Sequence, residues 1–180
     1  HRQNGQPVIG TTGYTGYLLD VNFSAPVFEA GEDAWSLLLL GGIGTKQWHR
    51  VLGKDDDQGG GYTEEWITYY GRAGLAHHLL KNRRTVAYAM AGAKIPLLTE
   101  NRVDFDSNNL PDATLKPKGQ PSSFVEIGFH GNSFCVSLFY EFMRFEQSDS
   151  ETAYFRVYRY PGYVPMEVWQ PASESQILGM

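Results

Sequence analysis

Five histidines offer imidazole donors, at His1, His49, His77, His78 and His130. An N-terminal His chelates copper through its α-amine and ring. His49, His77 or His130 would complete a three-nitrogen set beside a Tyr or Phe, and such donors suit copper. That arrangement belongs to copper-dependent oxygenases, yet nothing in the spacing selects these residues, and no metal ligand is assigned. His77 and His78 are adjacent, so on a strand they point to opposite faces and do not share one ion. Asp55, Asp56 and Asp57 lie in the Gly-rich stretch 53–61. They lack the alternating ligands and distal Glu of an EF-hand loop and read as a solvated acidic turn.

Carboxylates also occur at Glu64, Glu65, Glu100, Asp104 and Asp106, but no spacing marks a glycosidase pair, whose separation is set by the fold. The chain contains no GxSxG, HExxH, P-loop or GxGxxG pattern. Cys135, inside the apolar run SFCVSLFYEF, has no local signature pairing it with a His or Asn and reads as a small buried hydrophobe. No catalytic residue and no cofactor are therefore assigned, and a structural or binding role is expected in place of an enzymatic one. Tyr14, Tyr17, Tyr62, Tyr69 and Tyr70 supply rings for a sugar-stacking platform, as in a carbohydrate-binding β-sandwich. They serve equally as subunit contacts, where Tyr and Trp are enriched, or as rings in the domain's own core.

The elements that must position these residues are strands. The 180 residues fit one domain, 1–180, and 14% of them are aromatic, which favours a pleated, half-buried surface. The net charge of −5 leaves no broad basic face for phosphates; the local cluster Lys81, Arg83 and Arg84 reads as a strand-end turn. A single Cys forms no intrachain disulfide, so an intracellular assembly site is expected. No stretch approaches 18 apolar residues, so no membrane span is expected. The chain begins at His1 and not at Met, as expected of a processed product, a trimmed chain or the ordered part of a longer one.

Period-two alternation places Leu19, Val21 and Phe23 on one face of a first strand. AWSLLLLGGI is continuous, which suits a strand buried on both sides or a short helix. EEWITYYGRAGLAHHLL reads as a strand to Tyr70, a bend at Gly71–Gly74 and a second strand. Val86, Tyr88 and Met90 alternate with small alanines. Residues 99–123 read as a long surface excursion. Val125, Ile127 and Phe129 alternate, as do Phe134, Val136, Leu138, Tyr140 and Phe142, and then AYFRVYRY and YVPMEVW. The segment 172–180 is expected to be an extended or disordered tail. Roughly eight strands with few short helices is the count of a sandwich or jelly roll.

In the C-terminal third, RVYRYPGYVPMEVWQP (Arg156 to Pro171) resembles the closing strand of the largest coat protein of picornavirus-like capsids. Arg156, Val157, Tyr158, Pro161 and Val164 match in register; Trp169 and Pro171 match after two extra residues, and the family's Arg-Pro run is absent. PSSFVEIGFHGN (Pro121 to Asn132) is similar to the strand before that family's late surface loop, with Gly128 in place of Pro. EWITYYGRAGLAHHL (Glu65 to Leu79) is similar to its aromatic-Arg-Gly step, with Gly71-Arg72-Ala73-Gly74 out of order. The resemblance implies an all-β fold, an eight-stranded jelly-roll β-sandwich. It implies a structural subunit of a non-enveloped icosahedral virus capsid, localised to the virion and to host cytoplasm during assembly. Its partners would be other capsid subunits, with indirect contact to genomic RNA.

Overall fold

Alternating apolar and small or polar residues suit a pleated surface, and they form long antiparallel strands here. The computed structural model describes residues 2–3, 6–7, 12–31, 35–52, 62–81, 84–104, 112–156 and 163–180. Its strands are β1 (Arg2–Gln3), β2 (Gln6–Pro7), β3 (Thr12–Glu29), β4 (Ser36–Leu52), β5 (Tyr62–Lys81) and β6 (Thr85–Asp104). They continue as β7 (Ala113–Leu115), β8 (Gly119–Gly131), β9 (Cys135–Phe145), β10 (Glu151–Arg156), β11 (Tyr163–Val168) and β12 (Ser173–Gly179). The fold is all-β, and the few short helices expected do not occur among the described residues.

One antiparallel sheet of eight strands dominates, in the order β12-β9-β8-β6-β5-β4-β3, with β7 beside β6. β1 pairs with β2 and β10 with β11 as separate hairpins. Apart from the short β7 and the β10–β11 hairpin, each strand lies beside its neighbour in the chain, the order of a meander. The prolines sit where a ladder tolerates them: Pro26 at a register shift on edge strand β3, and Pro96 opposite a shift in β5.

Two sequence expectations are revised. The stretch around Gly71–Gly74 is no bend but the middle of the 20-residue β5. Gly74 stands directly opposite Gly92, and a Cβ on it would meet the Ala91 and Gly92 backbone. Both glycines serve a close approach of two strands, which is the other reason a strand carries Gly. The excursion over 99–123 is shorter than expected, because β6 runs to Asp104 and β8 starts at Gly119. The segment after Pro171, expected to be extended or disordered, includes an extended edge strand, with Ser173 to Gly179 paired against Phe145 to Phe139.

Four strands, β3 to β6, have 17 to 20 residues, far beyond the usual ~3–10. Because the strands alternate in direction, the connections fall into two sets. Those at one end span 30–35, 82–84 and 132–134; those at the other span 53–61, 105–118 and 146–172. The last is pinned at its neck, where Ser148 N donates to the Gln170 carbonyl and Gln170 N to Ser148 Oγ.

The sheet is curled. Lys46 on β4 and Glu141 on β9 have three strands between them in the order, yet Nζ and Oε1 are 2.9 Å apart. In a flat sheet four steps of ~4.8 Å would separate them by ~19 Å. The curl gives each strand an inner and an outer face. On the outer face one row of paired residues crosses seven strands: Ala25, Leu39, Leu75, Ala91, Val125, Tyr140 and Leu178. Leu19, Val21, Phe23, Ile43, Ile127 and Leu138 extend this apolar surface, with Phe23 66% exposed. The inner face carries the buried polar groups, among them Lys46, Glu64, Thr68, Arg72, Lys94, Asn101, Ser122 and Glu141.

Candidate functional site

Every second residue of a strand faces inward, and on the inner face these positions bring acids and bases together. Arg72 on β5 donates to Asp20 Oδ2 on β3 at 2.7 Å, and Tyr70, two residues earlier, donates to Asp20 Oδ1 at 2.5 Å. Lys94 on β6 donates to the Tyr70 hydroxyl at 3.2 Å and to Glu141 Oε2 at 2.6 Å. Lys46 reaches Glu141 Oε1 at 2.9 Å and Met143 Sδ at 3.4 Å. The result is one chain of contacts, Arg72–Asp20–Tyr70–Lys94–Glu141–Lys46, linking β3, β4, β5, β6 and β9. Lys94 and Glu141 side chains are only 2% and 3% exposed. Charges so far from water stand only when paired and hydrogen-bonded. Glu141 accepts from two ammonium groups, which makes it the group on which both depend.

Small residues make room for this chain. A Cβ on Gly44 would strike Asp20 Oδ1 and come within 2.7 Å of the Tyr70 ring. Arg72 lies 4.0 Å above the Phe124 ring and Lys94 4.4 Å from the Tyr70 ring, so aromatic faces add to the shielding of the cations.

Toward the end with the long connections the interior becomes aromatic. Trp48 and Trp66 are directly paired on β4 and β5 and stack at 5.3 Å with 7° between planes. Phe145 packs against Trp66 at 5.4 Å. Trp66 Nε1 donates to Glu64 Oε2 at 3.0 Å, and Arg50 Nη1 lies 3.5 Å from the same oxygen. Beside this cluster is a cavity of about 620 Å³. Lys46, Trp48, Arg50, Trp66 and Phe145 line it, with Tyr14 to Leu18 of β3 on one side and Ser173 to Ile177 of β12 on the other. At the start of β5, burial raises the Tyr62 phenol above its ordinary pKa, and the Glu64 carboxylate adds to the shift.

The residues singled out from sequence are scattered. His1, Asp55, Asp56, Asp57, Arg83 and Asp106 lie outside the described residues. His49 is an exposed outer-face residue 3.7 Å from Glu65, and His130 is on β8. His77 and His78 do point to opposite faces, one bonding the Ser36 carbonyl and the other Ser36 Oγ. Among the described residues no three His, Cys, Asp or Glu side chains are grouped to hold a metal ion. Cys135 is exposed and not buried as expected, because it opens β9 beside the 132–134 connection. The five tyrosines form no platform: Tyr14, Tyr17 and Tyr69 are exposed, whereas Tyr70 is fully buried in the ionic chain. Glu64 and Glu65 face opposite ways, Glu64 to Trp66 and Glu65 outward to Gln47 and Arg102.

The residues that make the interior were not singled out. Their signal was a lone charge inside an apolar or small-residue alternation: Asp20 in LLDVN, Lys46 in GTKQ, Lys94 in GAKIP, Glu141 in FYEFM. No protein-family model matches the chain, and no curated protein or solved structure matches it significantly.

Proposed function

We propose that this chain builds a β-barrel that crosses a lipid bilayer on its strands, with an ionised interior plugging the lumen and the long connections forming its mouth. The observation that carries this reading is the inverted polarity, apolar residues outside and paired charges inside. In water so extensive an apolar exterior favours association; in lipid it is the stable arrangement. Bilayer barrels combine an outer apolar band, polar interior, short turns at one end and longer loops at the other, and all four features are present here. Aromatic residues border the band, as at a membrane interface: Phe28 stacks on Trp35 at 4.9 Å, and Trp35 meets His77 edge-on.

No described helix is long and apolar enough to cross a membrane. Strands evade that criterion because alternation halves their apolar content, and ~9–11 tilted residues suffice for a crossing. A spanning sheet must also have no free edge. β3 and β12 flank one cavity and run in the same direction. One strand antiparallel to both would close the barrel with an even count of eight, as bacterial barrels have.

The test is insertion. Refolded with phosphatidylcholine vesicles, the chain should float with them after a urea wash and migrate faster on SDS gels unheated than boiled. A chain that stays soluble and monodisperse without lipid or detergent contradicts the reading. The resemblance of the C-terminal third supports a second reading, a shell subunit whose apolar exterior is covered by neighbouring subunits. Its distinguishing result is uniform, lipid-free particles many times the chain's own mass.

A further inference from the structure

The cavity at the mouth has a wall that nothing else among the described interior residues shares. Lys46, Trp48 and Arg50 stand at alternate positions of β4 and line it from one strand. That gives a cation, an indole and a second cation along ~13 Å of one inner face. Among the described residues negative charge is short here. Glu141 already accepts from both Lys46 and Lys94. Glu64 accepts from Trp66 at 3.0 Å and lies at the longer distance of 3.5 Å from Arg50. Glu174, the remaining carboxylate in the lining, faces outward to Arg144 at 2.8 Å. Arg50 Nε is buried and has no hydrogen-bond partner among the described residues, a state that costs stability unless an acceptor arrives.

The volume of about 620 Å³ lies within the range of small-molecule sites, ~300–1,000 Å³. Ring faces of Trp48, Trp66 and Phe145 offer a flat apolar surface beside the two cations. We infer that this cavity binds a small aromatic carboxylate, its carboxylate on Arg50 and Lys46 and its ring against Trp48. Arg50 supplies the planar donor fork that suits a carboxylate, and its orphaned Nε gains an acceptor. The anion offsets the excess of cations over carboxylates at this level of the interior. The three proposed contacts, Lys46, Trp48 and Arg50, lie on the inner face of β4, while the cavity opens between β3 and β12; these contacts do not depend on a bilayer around the outer face.

Calorimetric titration of the folded chain in detergent micelles tests the site, with three probes of one shape: naphthalene-2-carboxylate, 2-naphthylmethanol and 2-naphthylmethylammonium. The carboxylate should bind at one site per chain, at least about tenfold tighter than the other two, since one lost charge-assisted contact is worth roughly that factor. Arg50→Gln should reduce it to the level of the alcohol, and Arg50→Lys should keep part of the preference. Trp48→Leu should weaken all three probes and leave the order intact. Equal binding of the three probes, or full carboxylate binding by Arg50→Gln, overturns the inference. Loss of binding in a chain that still floats with vesicles overturns the site and leaves the barrel reading standing.

Discussion

Lys46 and Glu141 lie 95 residues apart in the chain and touch at 2.9 Å across the interior of the curled sheet. Lys94 approaches the other oxygen of the same carboxylate at 2.6 Å. One acid thus holds two bases, and it ties β9 to both β4 and β6. Removing the acid leaves two buried ammonium groups without a counter-charge; removing one base leaves the other pair intact.

Glu141→Gln is expected to lower unfolding free energy by about 3–5 kcal/mol, the cost of breaking a buried pair from one side. Lys46→Met should cost clearly less, because Lys94 still neutralises the carboxylate. Urea unfolding in micelles compares the two. Equal losses, or a Glu141→Gln loss under about 1 kcal/mol, would show that the pairing is not what holds the interior.

Two glycines three positions apart on one strand make a matched test of inner and outer faces. Gly44→Ala drives a methyl into Asp20 and the Tyr70 ring, whereas the site of Gly41 has nothing within 4 Å. The first should cost about 1–3 kcal/mol, as overpacking does, and the second only a few tenths in either direction. Thermal unfolding of both variants reads the difference, and a reversed order would place the inner face on the wrong side of β4.

The outer ion pair Arg144–Glu174, 2.8 Å long with both side chains about half exposed, should matter little. Glu174→Gln is expected to change stability by no more than ~1 kcal/mol, the usual range for exposed pairs. Val125→Arg, on the apolar row, should cost ~2–4 kcal/mol in vesicles if Val125 sits near the midplane. In a water-soluble protein the same exposed position would tolerate Arg. Equal, small effects of the two substitutions in vesicles would argue against lipid around the row.

The strands were largely legible. Leu19, Val21 and Phe23 do share one face, as do Val125, Ile127 and Phe129, and the alanines opposite Tyr88 and Met90 do alternate with them. Period two reports that a strand has two unlike faces, and this much was read correctly. It does not report which face is the interior. The customary assignment sends apolar residues inward, and under it Asp20, Lys46, Lys94 and Glu141 carry no signal of a buried role. Their partners come from strands 47 and 95 residues apart in sequence, a separation no local pattern encodes. The break expected at Gly71–Gly74 failed for a related reason: Gly74 answers to Gly92 and Ala91 on the next strand, and not to its own backbone.

The claim that the outer row faces lipid is tested most directly by spin labels in vesicles. In a Cys135→Ser background, single cysteines replace Leu39, Leu75 and Val125 on the apolar row, and Glu100 and Arg102 beyond it. The account predicts that labels on the row collide with dissolved oxygen and are shielded from a water-soluble nickel complex, while those at Glu100 and Arg102 behave the other way. Labels on the row that meet the nickel complex as freely as those at Glu100 and Arg102 would contradict it.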